Sequence, residues 1–249
     1  MSEFFYNLGR QLGRKAVPAI RKSKWIWDGL AGNEEEALRA ETALGNSLAT
    51  EVRNATAPVN DPLLETLLSQ VCHRLSACVR DKGRTFRCEA IRDDSPSALA
   101  LPGGFVFVSS ALADLCERQQ GELAFVIGHE MAHIIRKHTW NRMLSDAAWR
   151  VASAVTARAG PLGSWFREKG MGLLRSAYSR DSEFEADELG SRLATTAGFA
   201  PAAAMVFLQR IERLGANEGH LGQYFASHPP ARERMARLAR VARVTEETK

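Results

Sequence analysis

The chain contains no run of about 18 uninterrupted apolar residues, so nothing in it reads as a membrane-crossing helix. Near the start, Asn7, Arg10, Gln11, Arg14 and Lys15 break every apolar stretch, and no core of a secretory leader forms. Paired cysteines are missing too. Cys72, Cys78, Cys88 and Cys116 include no C-x-x-C and no spacing that would build a zinc knuckle. They read as buried free thiols, which suit a reducing compartment, and the cytoplasm is the expected location. Charge of one sign is scarce: 33 basic residues are interspersed with 29 acidic ones, for a net +4, so no nucleic-acid partner is implied. What remains is a 249-residue chain, 45% hydrophobic, long enough for one sizeable domain and an extension.

Residues 1–57 read as the extension. Phe4, Phe5, Leu8 and Leu12 recur at helical spacing among Arg10, Arg14, Lys15, Arg21, Lys22 and Lys24, a basic amphipathic pattern. Such a segment can lie on an anionic membrane surface or dock its apolar stripe on its own domain, and the pattern fits both. A second helix, about Glu34 to Thr56, opens on three acidic residues that favour a helix N-terminus.

Residues 58–249 read as the main domain. Asn60-Asp61-Pro62 opens a helix to about Val79, and Asp81-Lys82-Gly83 breaks it. Thr85–Ala90 and Ala98–Ser109 have strand composition around the turn-forming Asp93-Asp94-Ser95-Pro96, and Pro102-Gly103-Gly104 kinks the second strand, as at a sheet edge. Helices are expected at about Ala111–Cys116, Gln119–His138, Ser145–Ala159, Trp165–Arg175, Arg180–Ala197 and Pro201–Leu214.

The helix expected from Gln119 carries His129-Glu130-Met131-Ala132-His133 within strongly apolar flanks. Four residues advance a helix by about 400°, so the two imidazoles share a face one turn apart and can reach a single metal ion. Glu130 leans toward the same point, as a general base would. Two solvated histidines would be the bland alternative, but such flanks bury them, and buried imidazoles and carboxylates need partners.

A catalytic zinc takes a third protein ligand and keeps one position for water. On a continuous helix, His138 lies on the side opposite His129 and reads as structural. His220 and His228 are too distant for spacing to decide. Glu183 is the strong candidate, because Asp187 follows one turn later and can take the free N–H of a ligating imidazole. A solvated acidic helix start is the competing reading of that pair. Ala186 and Gly190 are small enough for this helix to pack closely on the first.

Four stretches in order carry a resemblance: Ala98-Leu99-Ala100-Leu101-Pro102-Gly103-Gly104 with the strand after it; the His129–His133 helix; Tyr178-Ser179-Arg180-Asp181-Ser182-Glu183-Phe184-Glu185-Ala186-Asp187; and Ser227-His228-Pro229-Pro230 with Arg234 behind. Together they resemble the gluzincins of the HtpX-like and CAAX-prenyl-protease-like family, in its soluble BepA and Oma-type branch, over roughly residues 60–240. Ser97 departs from the asparagine usual before the edge strand, and the transmembrane hairpin of embedded members is missing.

The resemblance implies an α+β fold, a mostly helical zincin domain with a small sheet whose edge strand borders the active site. It implies one Zn2+ per chain on His129, His133 and Glu183, Glu130 as catalytic base and Asp187 supporting a ligand. His228 would approach the zinc or steady the oxyanion, with Tyr178 as an alternative donor. Gly103, Gly104, Phe105 and Val106 would bind substrate, the strand by β-addition, and Arg234 would hold substrate or stabilise the site. The activity so implied is metalloendopeptidase cleavage of unfolded or extended protein segments, in protein quality control and subject to latency. A catalytically silent, chaperone-like zinc module is the competing expectation.

Overall fold

The computed structural model describes residues 33–56, 58–81, 83–143, 178–215 and 228–247. The basic segment before residue 28, the helices expected over 145–159 and 165–175, and His220 lie outside them. No helix among the described residues is long and apolar enough to cross a membrane.

Local signals explain where most elements begin. Asn33 and Glu36 form a reciprocal capping box at the start of α1 (Glu34–Ala55). Asp61 caps α2 (Pro62–Ala77), with proline at the first helical position where its missing N–H costs nothing. The sheet follows as β1 (Arg87–Ile91), β2 (Ala98–Leu101) and β3 (Phe105–Ser109), and β3 leads directly into α3 (Ser110–Leu115). Next come α4 (Gln120–Ile135), α5 (Arg180–Thr196) capped by Ser179, α6 (Ala203–Gly215) and α7 (Ala231–Glu247). The expected α+β class, mostly helical with a small sheet, is what the chain adopts.

The sheet order is β1-β3-β2, with β1 parallel and β2 antiparallel to β3. This corrects the expected position of the strand after Gly103-Gly104. Phe105 and Val106 sit on the central strand, paired to Arg87 and Cys88 on one side and, for the same two residues, to Leu101 and Ala100 on the other. The reason is the turn at Pro102–Gly104, where Gly103 (φ 78°) and Gly104 (φ 96°) reverse the chain. The single strand expected over Ala98–Ser109 is therefore a hairpin, and its outer strand is β2.

Every residue of β3 is buried, because the sheet has a core on each face. Val106 and Val108 join α2, α4 and α6 through Leu68, Leu75, Ile127 and Phe207. Phe105 and Phe107 join Leu44, Leu48 and Val52 of α1, together with Trp140. So α1, on the extension side of the boundary expected at residue 57, shares a core with the sheet.

Candidate metal centre

The site is built where α4 crosses α5. A Cβ added to Gly190 would lie 2.6 Å from the backbone nitrogen of His129, and one added to Gly128 would lie 2.9 Å from the Gly190 carbonyl oxygen. Only glycines allow this approach, which brings the acidic face of α5 onto the histidine face of α4.

At the crossing, His129 Nε2 and His133 Nε2 are 3.1 Å apart. Glu183 Oε2 lies 3.6 Å from the first and Oε1 lies 3.4 Å from the second. All three residues are buried.

Proton positions follow from the carboxylates inward, since an ionised carboxylate only accepts. Asp187 Oδ1 is 2.9 Å from His129 Nδ1, so that nitrogen donates and Nε2 of the neutral ring keeps its lone pair. Glu185 Oε2 is 3.3 Å from His138 Nε2, and His138 Nδ1 is 3.0 Å from His133 Nδ1. His138 thus donates to Glu185 and accepts from His133, whose Nε2 is also left as a lone pair.

Two imidazole lone pairs and a carboxylate therefore converge with no proton among them. Glu183 Oε1, fully buried, has no hydrogen-bond partner. An orphaned buried carboxylate oxygen is costly unless a cation meets it, and two nitrogens with one oxygen are a donor set suited to zinc. His129, His133 and Glu183 could hold a metal ion.

The electrostatics agree with that assignment. Burial holds His129 down at about 4, against the pull of Asp187, and a ligand imidazole must be neutral. Burial by itself would raise the carboxyls of Glu183 and Asp187. At Glu183 the His228 imidazole that hydrogen-bonds it offsets this, and the Arg234 guanidinium does so at Asp187, so both stay below the usual carboxylate range.

Glu130 is also buried, within 4.8 Å of ligand atoms of His129 and His228. Burial pushes its carboxyl up to about 7, while the Ala100 backbone N–H donates to it. A carboxyl poised there can take and return a proton near neutrality.

The remaining expected residues lie at the rim of this cluster or behind it. His228 Nδ1 donates to Glu183 Oε2 at 2.6 Å, which puts this ring at the edge of the site. Tyr178 stacks on His133 with ring centroids 4.0 Å apart, and its hydroxyl is 2.7 Å from Thr139 Oγ1, so it is engaged beside the ligand rather than aimed at the centre. Its phenol is pushed up to about 12 by burial.

Arg234, expected to hold substrate or stabilise the site, is 1% exposed and clamps Asp187 with Nε–Oδ2 at 2.8 Å and Nη2–Oδ1 at 2.6 Å. This contact matches the site-stabilising one of its two expected roles. Gly103, Gly104, Phe105 and Val106 are likewise buried, in the turn and on the central strand.

His138 is the functional residue that spacing missed. The helix expected to run through it ends at Ile135, and Lys137 takes φ 58°, so the chain turns and returns the ring to His133. The Lys-His pair just past the apolar run was the available sign of a helix end.

Residues 62–242 match peptidase family M48. The mitochondrial metalloendopeptidase OMA1 of Schizosaccharomyces pombe is 32% identical over 178 residues, covering 69% of this chain and 51% of its own length. The beta-barrel assembly-enhancing protease of Yersinia pestis is 27% identical over 185 residues, 69% of this chain and 37% of that protein. Its Escherichia coli counterpart is 23% identical over 222 residues, 84% and 45% respectively. The chain thus spans about half or less of these curated relatives. Since the matched segment runs from α2 into α7 and takes in the whole His129–His133–Glu183 cluster with its Asp187–Arg234 support, the chain belongs to peptidase family M48.

Proposed function

We propose that this chain is a zinc-dependent metalloendopeptidase acting on unfolded or extended protein segments. The observation that carries the reading is the convergence of three unprotonated donors, one of them an orphaned carboxylate oxygen, beside a buried glutamate. Zinc, when bound by His129, His133 and Glu183, supplies Lewis acidity toward the scissile carbonyl and lowers the pKa of a water.

The chain's own residues do the rest. Glu130 accepts the proton of the attacking water on a carboxylate oxygen and passes it to the departing amine nitrogen. Asp187 and His138 hold the two imidazoles in the tautomer that exposes Nε2. β2, the outer strand of the sheet among the described residues, runs beside Glu130 and offers its outer edge to an extended peptide, so substrate pairing belongs there rather than on Phe105 and Val106. His228 is positioned to donate to the developing oxyanion once it leaves Glu183.

The reading extends to quality control of unfolded protein. It sets the reaction in the cytoplasm, where the four free thiols stay reduced, with the basic part of residues 1–57 that precedes α1 meeting an anionic membrane surface.

Glu130→Gln tests the mechanism. Zinc content by elemental analysis should stay at one per chain, while cleavage of an unfolded protein such as casein should fall by about a hundredfold or more. Undiminished turnover removes Glu130 from the chemistry.

One observation favours a second reading, a zinc-holding module that is latent or silent: His228 already contacts the ligand Glu183 at 2.6 Å. His228→Ala separates the two. Turnover that appears only in the variant indicates latency, and none in either protein indicates a silent module.

A further inference from the structure

A buried ion pair away from the metal ties α1 to the edge of the sheet. Glu41 of α1 is 2% exposed, and its Oε1 accepts from the Gly103 backbone N–H at 3.2 Å. Arg84 donates to the same carboxylate, Nη2 to Oε2 at 2.8 Å and Nε to Oε1 at 3.3 Å, and pairs outward with Asp81. Four residues on, Gly45 faces the same turn: a Cβ there would stand 1.9 Å from the Pro102 carbonyl oxygen.

Stability alone does not account for a carboxylate at this place. Its neighbours along the helix face are Leu44, Leu48 and Val52, and replacing a buried ion pair by apolar groups is often neutral or stabilising. What the carboxylate does that leucine cannot is hold the amide of the turn between β2 and β3. That turn is one residue from Leu101, and Leu101 follows Ala100, whose N–H reaches Glu130. On its other side β2 pairs with β3 through Ala100↔Val106 and Leu101↔Phe105, so its register is sensitive to the turn.

We propose that Glu41 is a positioning residue for peptide substrate: by fixing the Pro102–Gly104 turn it sets the register of β2, the strand on which an extended peptide would pair. The inference rests on the peptidase reading above. It also lies outside the family-matched segment, because α1 ends before residue 62.

Two double variants sharing Arg84→Met isolate the contact, since each lacks the ion pair. Glu41→Gln/Arg84→Met keeps an oxygen for the Gly103 N–H, and Glu41→Leu/Arg84→Met does not. In the full-length, zinc-loaded protein, amide exchange at Gly103 and over Ala98–Leu101 should be about tenfold faster in the leucine variant than in the glutamine variant. KM for an extended peptide of about eight residues should rise by a similar factor of about ten, with kcat and the KM of a two- or three-residue substrate unchanged.

If the two variants exchange and turn over alike, or if kcat falls equally on long and short substrates, the positioning role is wrong. Should the leucine variant fail to fold, Gly45→Ala presses the same turn from the same helix and must give the same selective rise in KM. Wild-type protein that cleaves neither substrate refutes the peptidase reading and the substrate role with it. Wild-type turnover with indistinguishable variants refutes the role of Glu41 alone.

Discussion

The two imidazoles that meet at 3.1 Å are supported by arrangements of different kinds. Behind His129 stands a buried ionic clamp drawn from two distant helices: Asp187 of α5, held by two nitrogens of Arg234 from α7, with both side chains at 2% exposure or less. Behind His133 stands a relay through His138 to Glu185 and Arg136, whose outer pair is 44% exposed at both side chains. The first couples metal geometry to the packing of α4, α5 and α7. The second fixes a tautomer with groups that water can partly replace. Loss on the first side should therefore be felt by the whole fold, and loss on the second by the metal alone.

The largest effect is expected from Asp187→Ala, which leaves the Arg234 guanidinium buried without its carboxylate. The fold should lose about 3–5 kcal/mol, measured by denaturant unfolding of chelated protein. Metal retention should fail as well. Replacing both partners, Asp187→Leu/Arg234→Met, should restore most of the stability but not the metal affinity. Recovery of both would show that the clamp serves packing only.

Acid should act next, and first through His129. Its folded value of about 4 lies below its ordinary 6.5, so the unfolded chain takes up the proton first as pH falls. Through His129 the metal-free protein loses about 3 kcal/mol between pH 6.5 and about 4, while Glu130, raised from 4.5 to about 7, takes up its proton first in the folded state and opposes that loss between about 7 and 4.5. His138 is also lowered by burial and acts in the same direction as His129. The depressed carboxyls of Glu183 and Asp187 contribute only below their ordinary 4.5 and 3.8, so unfolding curves of a Glu130→Gln protein, which lacks the opposing carboxyl, isolate the histidines between pH 6.5 and 5. Saturating zinc should raise that whole curve without removing its slope, because the proton is taken up by the unfolded chain. A metal-free Glu130→Gln protein equally stable across the window would mean that His129 is not held neutral.

The asymmetry between the two sides also decides what the sequence could reveal. His129, Glu130, His133, Glu183 and Asp187 all sit on regular helices, where a spacing of four converts directly into a shared face. The small residues at Ala186 and Gly190 foretold the close crossing. His138 could not be placed by the same arithmetic, because the helix stops at Ile135 and a left-handed Lys137 resets the direction.

Strand order is a non-local property, so Phe105 and Val106 were put on an edge that the hairpin turn gives to β2. Arg234 is found by resemblance with two roles left open, and only the packing of α7 on α5 shows that it meets Asp187. The helix bearing it had gone unnamed, although Ala231, Met235 and Leu238 recur at helical spacing behind Pro229-Pro230.

On the His133 side, His138→Ala should leave the fold within about 1 kcal/mol of wild type and weaken zinc binding about tenfold, at the low end for a supporting partner because the gap opens beside the exposed Glu185 and water can enter it. Glu185→Ala should be weaker still. Its carboxylate is exposed, its bond to His138 is 3.3 Å, and exposed pairs such as its contact with Arg136 contribute only about 0.2–1 kcal/mol. Competition against a chromogenic chelator would rank the three proteins. If Glu185→Ala weakens zinc as much as His138→Ala, the relay acts as a unit and the carboxylate, not the imidazole, sets the tautomer of His133. If it matches wild type, water completes the relay and the contrast with the buried Asp187–Arg234 clamp holds in full.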